Sequence, residues 1–282
     1  MNILFIGAHP DDAEIRAGGL MLKNRAAGGR SKIISLTNGN CGVVGKTGAS
    51  AAAVRKEEMQ RVKDLYGFDY EIFDNNDGEL TADLATRKRL VKSIRLFRPD
   101  LIVTHRPVDY HADHRYTSLL VQDASYLLGV ENFCSDVAAL DYRPMIFYAF
   151  DNFKPDFVPH IFIDIDDVVH EKFRLLSQHA SQVYGFMPQY NKTADDMPQG
   201  EEARLKWLEG ELDLDYVRTV GVNEARIPQG LNNEAVRAVK YEALVKKVFG
   251  AKKPLFVEAF SVCEYSRTLT KEDFASFRFT GI

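Results

Sequence analysis

Cysteine is scarce in this chain: Cys41, Cys134 and Cys263 are few, scattered and odd in number. Such a set builds neither a disulfide framework nor a cysteine-based zinc knuckle, and a reducing cytoplasm is the expected compartment. A basic excess is missing too, since 36 Lys and Arg face 40 Asp and Glu for a formal net charge of -4. Neither nucleic acid nor an anionic membrane surface is therefore expected as the main partner. No stretch approaches the ~18 uninterrupted apolar residues of a membrane span. The apolar opening Asn2 to Ala8 is too short for a signal-peptide core and reads as a buried strand. Gly-x-Gly-x-x-Gly is absent, and Asp11-Asp12 would repel a pyrophosphate at the start of the following helix. The Gly-rich loop Gly39 to Gly48 lacks the lysine register of a P-loop. What is present is 282 residues, 45% apolar and 27% charged, which suits a globular protein with a sizeable core.

Strand-like and helix-like patterns alternate four times in the first 130 or so residues. Asn2 to Ala8, Lys32 to Thr37, Tyr70 to Phe73 and Leu101 to Thr104 read as strands. Glu14 to Ala27, Ala51 to Tyr66, Leu84 to Phe97 and Arg115 to Leu128 read as helices. That rhythm predicts an α/β fold, Rossmann-like, with a mostly parallel sheet and helices on both faces. Farther on, strands are expected at Met145 to Phe150, His160 to Ile165 and Leu255 to Tyr265. Helices are expected at Val168 to Val183, Glu201 to Leu212 and Glu234 to Phe249, with a loop at Gly185 to Asp196. No linker composition marks a boundary, so the expectation is one domain over 1–282, a core over about 1–185 and C-terminal elaborations over about 186–282.

Ligands of such sheets bind beyond the carboxyl ends of the strands, and two polar clusters fall there. The first is Ala8-His9-Pro10-Asp11-Asp12-Ala13-Glu14. A helix N-cap explains one of its carboxylates at most. It explains neither His9 nor the packing of like charges, which a bound cation would relieve. The second cluster is His111-Ala112-Asp113-His114, with His105 and Asp109 just upstream; three of the seven histidines fall in these ten residues. Imidazole and carboxylate suit zinc, and a catalytic zinc takes three protein ligands plus a water. Such a site also needs a carboxylate that does not ligate, to accept a proton. His9 and Asp12, three apart in a turn, can reach one ion. The second cluster can supply a third ligand and a donor for a developing oxyanion.

These motifs, with Gly18-Gly19 behind the first, resemble the LmbE-like (PIG-L) family of zinc-dependent de-N-acetylases. Further matches are Leu36-Thr37-Asn38-Gly39 with Gly42, Arg55 with Glu58, Asp77-Gly78, Pro99-Asp100, Thr104-His105, Pro107, Asp109, Lys172 and His179-Ala180-Ser181-Gln182. The resemblance covers roughly 1–185. It implies His9, Asp12 and His114 as zinc ligands and Asp11 as the general base. It implies His111 as oxyanion stabiliser or acid, and Asp113 as the group that orients and tunes an imidazole. Arg55 and Asp77 would contact the sugar-like part of the substrate, and His179 would belong to the substrate site or be an ordinary buried histidine. Arg16, Leu20 and Asn40 depart from the family pattern. Arg16 reads equally as a solvated helix face or as a pocket residue. Tyr184 to Tyr190 reads as a rim loop or as core.

The activity so implied is removal of an acetyl or other acyl group from the amide nitrogen of a small, amino-sugar-derived molecule. The alternatives are an amidase acting on a thiol conjugate or other non-sugar amide, and a non-catalytic metal- or ligand-binding module. Zinc, or another divalent metal, is the expected cofactor. The partner is a small N-acyl substrate, and the family's symmetric assemblies leave a homo-oligomer open.

Overall fold

A computed structural model describes residues 1–150, 157–225, 234–273 and 280–281. Strands β1 (Asn2–Gly7), β2 (Arg30–Thr37), β3 (Asp69–Asn75), β4 (Leu101–Thr104) and β5 (Met145–Ala149) run parallel. Strands β6 (Ile161–Asp164), β7 (Val257–Val262) and β8 (Thr280–Gly281) complete a sheet of order β3-β2-β1-β4-β5-β7-β6-β8. Strand β7 lies antiparallel between β5 and β6. The chain beyond residue 185 is thereby woven into the sheet rather than appended to it.

The first four helices are α1 (Asp12–Ala26), α2 (Gly48–Tyr66), α3 (Leu84–Phe97) and α4 (Ala112–Leu127). Alternation along β1 sorts the core into two layers. Ile3 and Phe5 pack with Ala17, Leu20 and Met21 of α1 and Val62 and Tyr66 of α2. Leu4 and Ile6 pack on the other face with Leu90, Val91 and Ile94 of α3 and Leu120, Val121 and Ala124 of α4. Each fully buried Leu, Ile, Val, Phe or Met among them contributes about 1.5–3 kcal/mol against exposure. The parallel order reverses between β1 and β4, so a crevice opens at their carboxyl ends. Both polar clusters of the sequence lie there.

The later expectations are corrected in part. The helix expected over Val168 to Val183 is α5 (Val169–Leu176) followed by a separate π-helical turn, Gln182–Phe186. The expected loop Gly185 to Asp196 contains that turn's end, α6 (Met187–Asn191) and a 3-10 turn, Ala194–Asp196. Glu201 to Leu212 divides into α7 (Glu201–Leu208) and a 3-10 turn. After α8 (Leu214–Val220), Glu234 to Phe249 divides at Tyr241 into α9 (Glu234–Lys240) and α10 (Glu242–Phe249). Periodicity sees a continuous apolar stripe across such breaks and cannot register a change of helix axis. Among the described residues no helix is long and apolar enough to cross a membrane.

Helix α1 explains the paired glycines. Ala17 leaves the helical region at φ -142° and ψ 18°, which interrupts the backbone ladder. The carboxylate of buried Glu258 on β7 then accepts the Gly19 and Leu20 amides, each at 2.8 Å. Lys172 of α5, equally buried, bridges Glu258 at 2.8 Å and Glu234 at 2.7 Å. The cation offsets what an unpaired buried carboxylate would cost. Gly19 permits this approach, because a β-carbon there would lie 2.5 Å from Ile165 Cγ2. Gly19→Ala is therefore expected to lower stability by about 1–3 kcal/mol, although alanine is the better helix former by about 1 kcal/mol. Urea denaturation checks this, and a stabilised variant would refute the packing argument.

Candidate active site

The loop after β1 turns sharply. The His9 carbonyl accepts the Asp11 amide at 3.0 Å and the Asp12 amide at 3.3 Å, and Pro10 supplies the preset φ that a tight turn favours. Asp11 sits at φ 154°, ψ -21°, a region costly for a residue with a side chain. The turn sends neighbouring carboxylates in different directions. Asp12 Oδ2 accepts the amides of Ala8 and His9 at 3.0 and 2.8 Å and lies 3.0 Å from His105 Nε2. Asp11 Oδ2 lies 3.1 Å from Arg55 Nη2.

Across the switch point, His111 caps α4 and its Nδ1 accepts the Asp113 amide. One turn on, His114 points back at the first loop. His9 Nδ1 and His114 Nε2 are 3.2 Å apart. Asp12 Oδ2 is 3.7 Å from the former and Asp12 Oδ1 is 3.5 Å from the latter. Tetrahedral ligands at ~2.1 Å from one ion stand about 3.4 Å from each other, so the three side chains match the edges of a metal site.

The outward nitrogens strengthen that match. His114 Nδ1 is 2.9 Å from Asp109 Oδ1, and His9 Nε2 is 3.1 Å from Asp113 Oδ2 and 3.2 Å from Asp77 Oδ1. Each carboxylate fixes the ring proton on the outer nitrogen and aims the inner lone pair at the other ring. Two lone pairs at that separation repel unless a positive charge lies between them. A divalent cation held by His9, Asp12 and His114 fits. His9 shares further ligand atoms with Asp77, His111 and Asp113, and His114 with His105 and Asp109, so two more clusters flank the triad.

Electrostatics follow from this crowding. Burial opposes charge on His9, but Asp113, Asp77 and Asp12 raise its pKa to about 10. Burial, with His105 adding to it, lowers His114 to about 3, which keeps the ring neutral. Burial resists ionisation of Asp12, yet the adjacent His105 holds it well below the usual carboxylate range. Burial raises Asp11, and Arg55 only partly offsets it. Burial and the nearby His9 lower His111.

The other residues singled out from sequence lie nearby in different environments. Asp77 borders the crevice and remains partly exposed. Arg55 is 1% exposed, and His179 is fully buried with Nε2 3.1 Å from Glu14 Oε1. Arg16 is not on a solvated face. It is buried, donates to the Phe150 carbonyl at 2.8 Å and brings Nε to 3.8 Å from Asp12 Oδ1. Tyr184 is partly buried against the core, whereas Phe186 and Tyr190 are exposed and stacked. Sequence reasoning left Asp109 and His105 without roles. Asp109 anchors His114, and His105 stacks on the His114 ring at 3.9 Å between centroids. A carboxylate five residues before a candidate ligand was the available signal for Asp109.

Fold and site together define a doubly wound α/β protein with a histidine–carboxylate cluster at its switch point that could hold a metal ion. The chain belongs to the PIG-L family, described as GlcNAc-PI de-N-acetylase, whose sequence profile matches residues 4–125 and so spans both clusters. It is 33% identical over 189 residues to the diacetylchitobiose deacetylase of Thermococcus kodakarensis, covering 64% of this chain and 70% of that protein. Among solved structures it resembles N,N'-diacetylchitobiose deacetylase from Pyrococcus horikoshii, with a TM-score of 0.63 and 21% identity over 96% of this chain and 88% of that one. It also resembles the 4-carboxy-2-hydroxymuconate hydratase from Pseudomonas putida KT2440, with a TM-score of 0.67 and 19% identity over 96% and 98% of the two chains. These two structural likenesses establish the fold.

Cobalt(II) added to metal-free protein at about 100 times its dissociation constant should stabilise the fold by about 2.7 kcal/mol. The gain should disappear in His114→Ala and persist in Asp11→Ala. Persistence in His114→Ala would remove that residue from the ligand set.

Proposed function

We propose that this protein is a zinc-dependent de-N-acetylase acting on the N-acetyl amide of a small amino-sugar-derived substrate. One observation carries the reading. His9, Asp12 and His114 have the spacing of a three-ligand metal site, and the adjacent carboxylate, Asp11, is turned away from that set. A zinc ion so held supplies Lewis acidity, lowering the pKa of water and polarising the amide carbonyl.

The remaining work falls to the protein. Asp11 takes the proton of the attacking water. Its burial raises the carboxyl pKa toward the working range of a general base, while Arg55 favours the ionised form. His111 is neutral, with Nδ1 occupied as acceptor of the Asp113 amide, so its proton resides on Nε2. That N–H donates to the oxyanion as the carbonyl carbon becomes tetrahedral. The proton that Asp11 takes from the water is then available to the departing amine, which leaves Asp11 ionised again and His111 neutral throughout. Asp113, held by the Gly78 amide at 2.7 Å, orients His9, and Asp109 orients His114. Asp77, partly exposed at the crevice, is the remaining carboxylate within reach of a sugar hydroxyl.

Family membership and the likeness to a diacetylchitobiose deacetylase support an amino-sugar substrate. The test incubates zinc-loaded protein with N-acetylglucosamine, N,N'-diacetylchitobiose and an N-acylated thiol conjugate, and measures free amine and acetate. Equimolar release from an N-acetylated sugar is expected. Release from the thiol conjugate alone would move the substrate class to non-sugar amides, and no release from any of them would end the enzyme reading. Asp11→Ala should lose about 10²–10⁴-fold in turnover while retaining zinc; turnover equal to the parent would exclude Asp11 as the base.

A further inference from the structure

We infer that Arg16 is a positioning residue acting through Asp12. Its guanidinium sets a fixed positive charge beside the ligand oxygen, which stabilises the metal-free site and loosens its hold on a divalent cation. This rests on the metal site of the function proposed above and not on the substrate. Asp12 and Arg16 are four apart in α1 and share one face of the helix. The two oxygens of Asp12 have different surroundings. Oδ2 accepts the Ala8 and His9 amides at 3.0 and 2.8 Å and lies 3.0 Å from His105 Nε2. Oδ1 is the oxygen 3.5 Å from His114 Nε2. Oδ2 is thus engaged by the turn and by His105, and Oδ1 is the oxygen with room to face an ion. Arg16 Nε stands 3.8 Å from that same Oδ1.

The charge is held in place by the fold. Arg16 is 8% exposed, and its Nη1 donates to the Phe150 carbonyl at 2.8 Å, just past the end of β5. Swinging the guanidinium out to solvent would leave that buried carbonyl without its donor. A cation entering between His9, Asp12 and His114 therefore meets a like charge at short range, where little water screens it. Without a metal the sign reverses. Asp12 and Asp109 are both buried, and a neighbouring cation offsets part of what their ionised forms cost. A strut joining α1 to β5 would need only a donor for the Phe150 carbonyl. The charge is the additional feature, and it sits at a position where the chain departs from the family pattern.

The test measures zinc affinity by chelator competition, and the thermal melt of the metal-free protein, for the parent, Arg16→Gln and Arg16→Lys. Glutamine can still donate to the Phe150 carbonyl but carries no charge, whereas lysine keeps the charge. Arg16→Gln should bind zinc about tenfold more tightly than the parent, while its metal-free form melts at a lower temperature. Arg16→Lys should stay within about threefold of the parent in zinc affinity. A purely structural strut predicts the opposite sign, since a loosened site loses both melting temperature and zinc affinity. Zinc affinity unchanged or weaker in Arg16→Gln would therefore overturn the proposal. Should Arg16→Gln not fold without metal, a zinc titration decides. Recovery of the fold at or below the zinc concentration that half-saturates the parent supports the charge role, and no recovery refutes it. A parent that binds no zinc would end the metal reading and this inference together. A parent that binds zinc but hydrolyses no N-acetyl amide would end the function reading alone, and the affinities above would still decide.

Discussion

The inner nitrogens of His9 and His114 face each other at 3.2 Å across the point where the sheet reverses its strand order. Neither ring can turn away. His114 is held from behind by Asp109, and His9 by Asp113 and Asp77. The arrangement is tolerable only with positive charge between the rings, whether a proton, as the raised pKa of His9 reflects, or a metal ion. The five nearby carboxylates, Asp11, Asp12, Asp77, Asp109 and Asp113, follow the same logic. Without a central cation their mutual repulsion would oppose folding; with one, they become its ligands and the groups that aim those ligands.

Strain and rigidity are linked around this centre. The turn at Pro10–Asp11 separates two adjacent carboxylates, so that Asp12 faces the imidazoles and Asp11 does not. Its unfavourable backbone geometry persists because the surroundings fix it. Glu258 and Lys172 stiffen α1 after its break at Ala17, which keeps the helix carrying Asp12 against α5 and β7. The C-terminal third of the chain therefore supports the site through β7, although it places none of the triad's ligands.

The portion legible in sequence was the portion with strong local signals. Four strand–helix pairs announce themselves by short apolar runs ending in polar clusters, and the clusters around His9 to Glu14 and His111 to His114 stand out because like charge and imidazole have no cheaper explanation there; the family resemblance singles out His114 within the second. What stayed hidden depends on long-range placement. Arg55 and His179 carry no mark distinguishing a pocket residue from a buried support. Only the fold brings Arg55 under Pro10, 45 residues earlier, and His179 against Glu14. Arg16 was equally ambiguous, because its position depends on where β5 ends. The breaks after α5 and at Tyr241 were invisible because apolar spacing continues through them.

The likeness to both a deacetylase and a hydratase shows how little the scaffold alone decides. One doubly wound sheet can present different chemistry at the same switch point. The discriminating features are local. Amide hydrolysis needs a base that is near the metal ligands yet not one of them, and a donor positioned for an oxyanion. In the function we propose, the diverging Asp11 and Asp12, together with a neutral His111 whose Nδ1 accepts the Asp113 amide, would meet both requirements. Those features come from a three-residue turn and a helix N-cap. The proposed function accordingly rests on the backbone geometry of two short segments, and the sheet serves to hold them at a fixed separation.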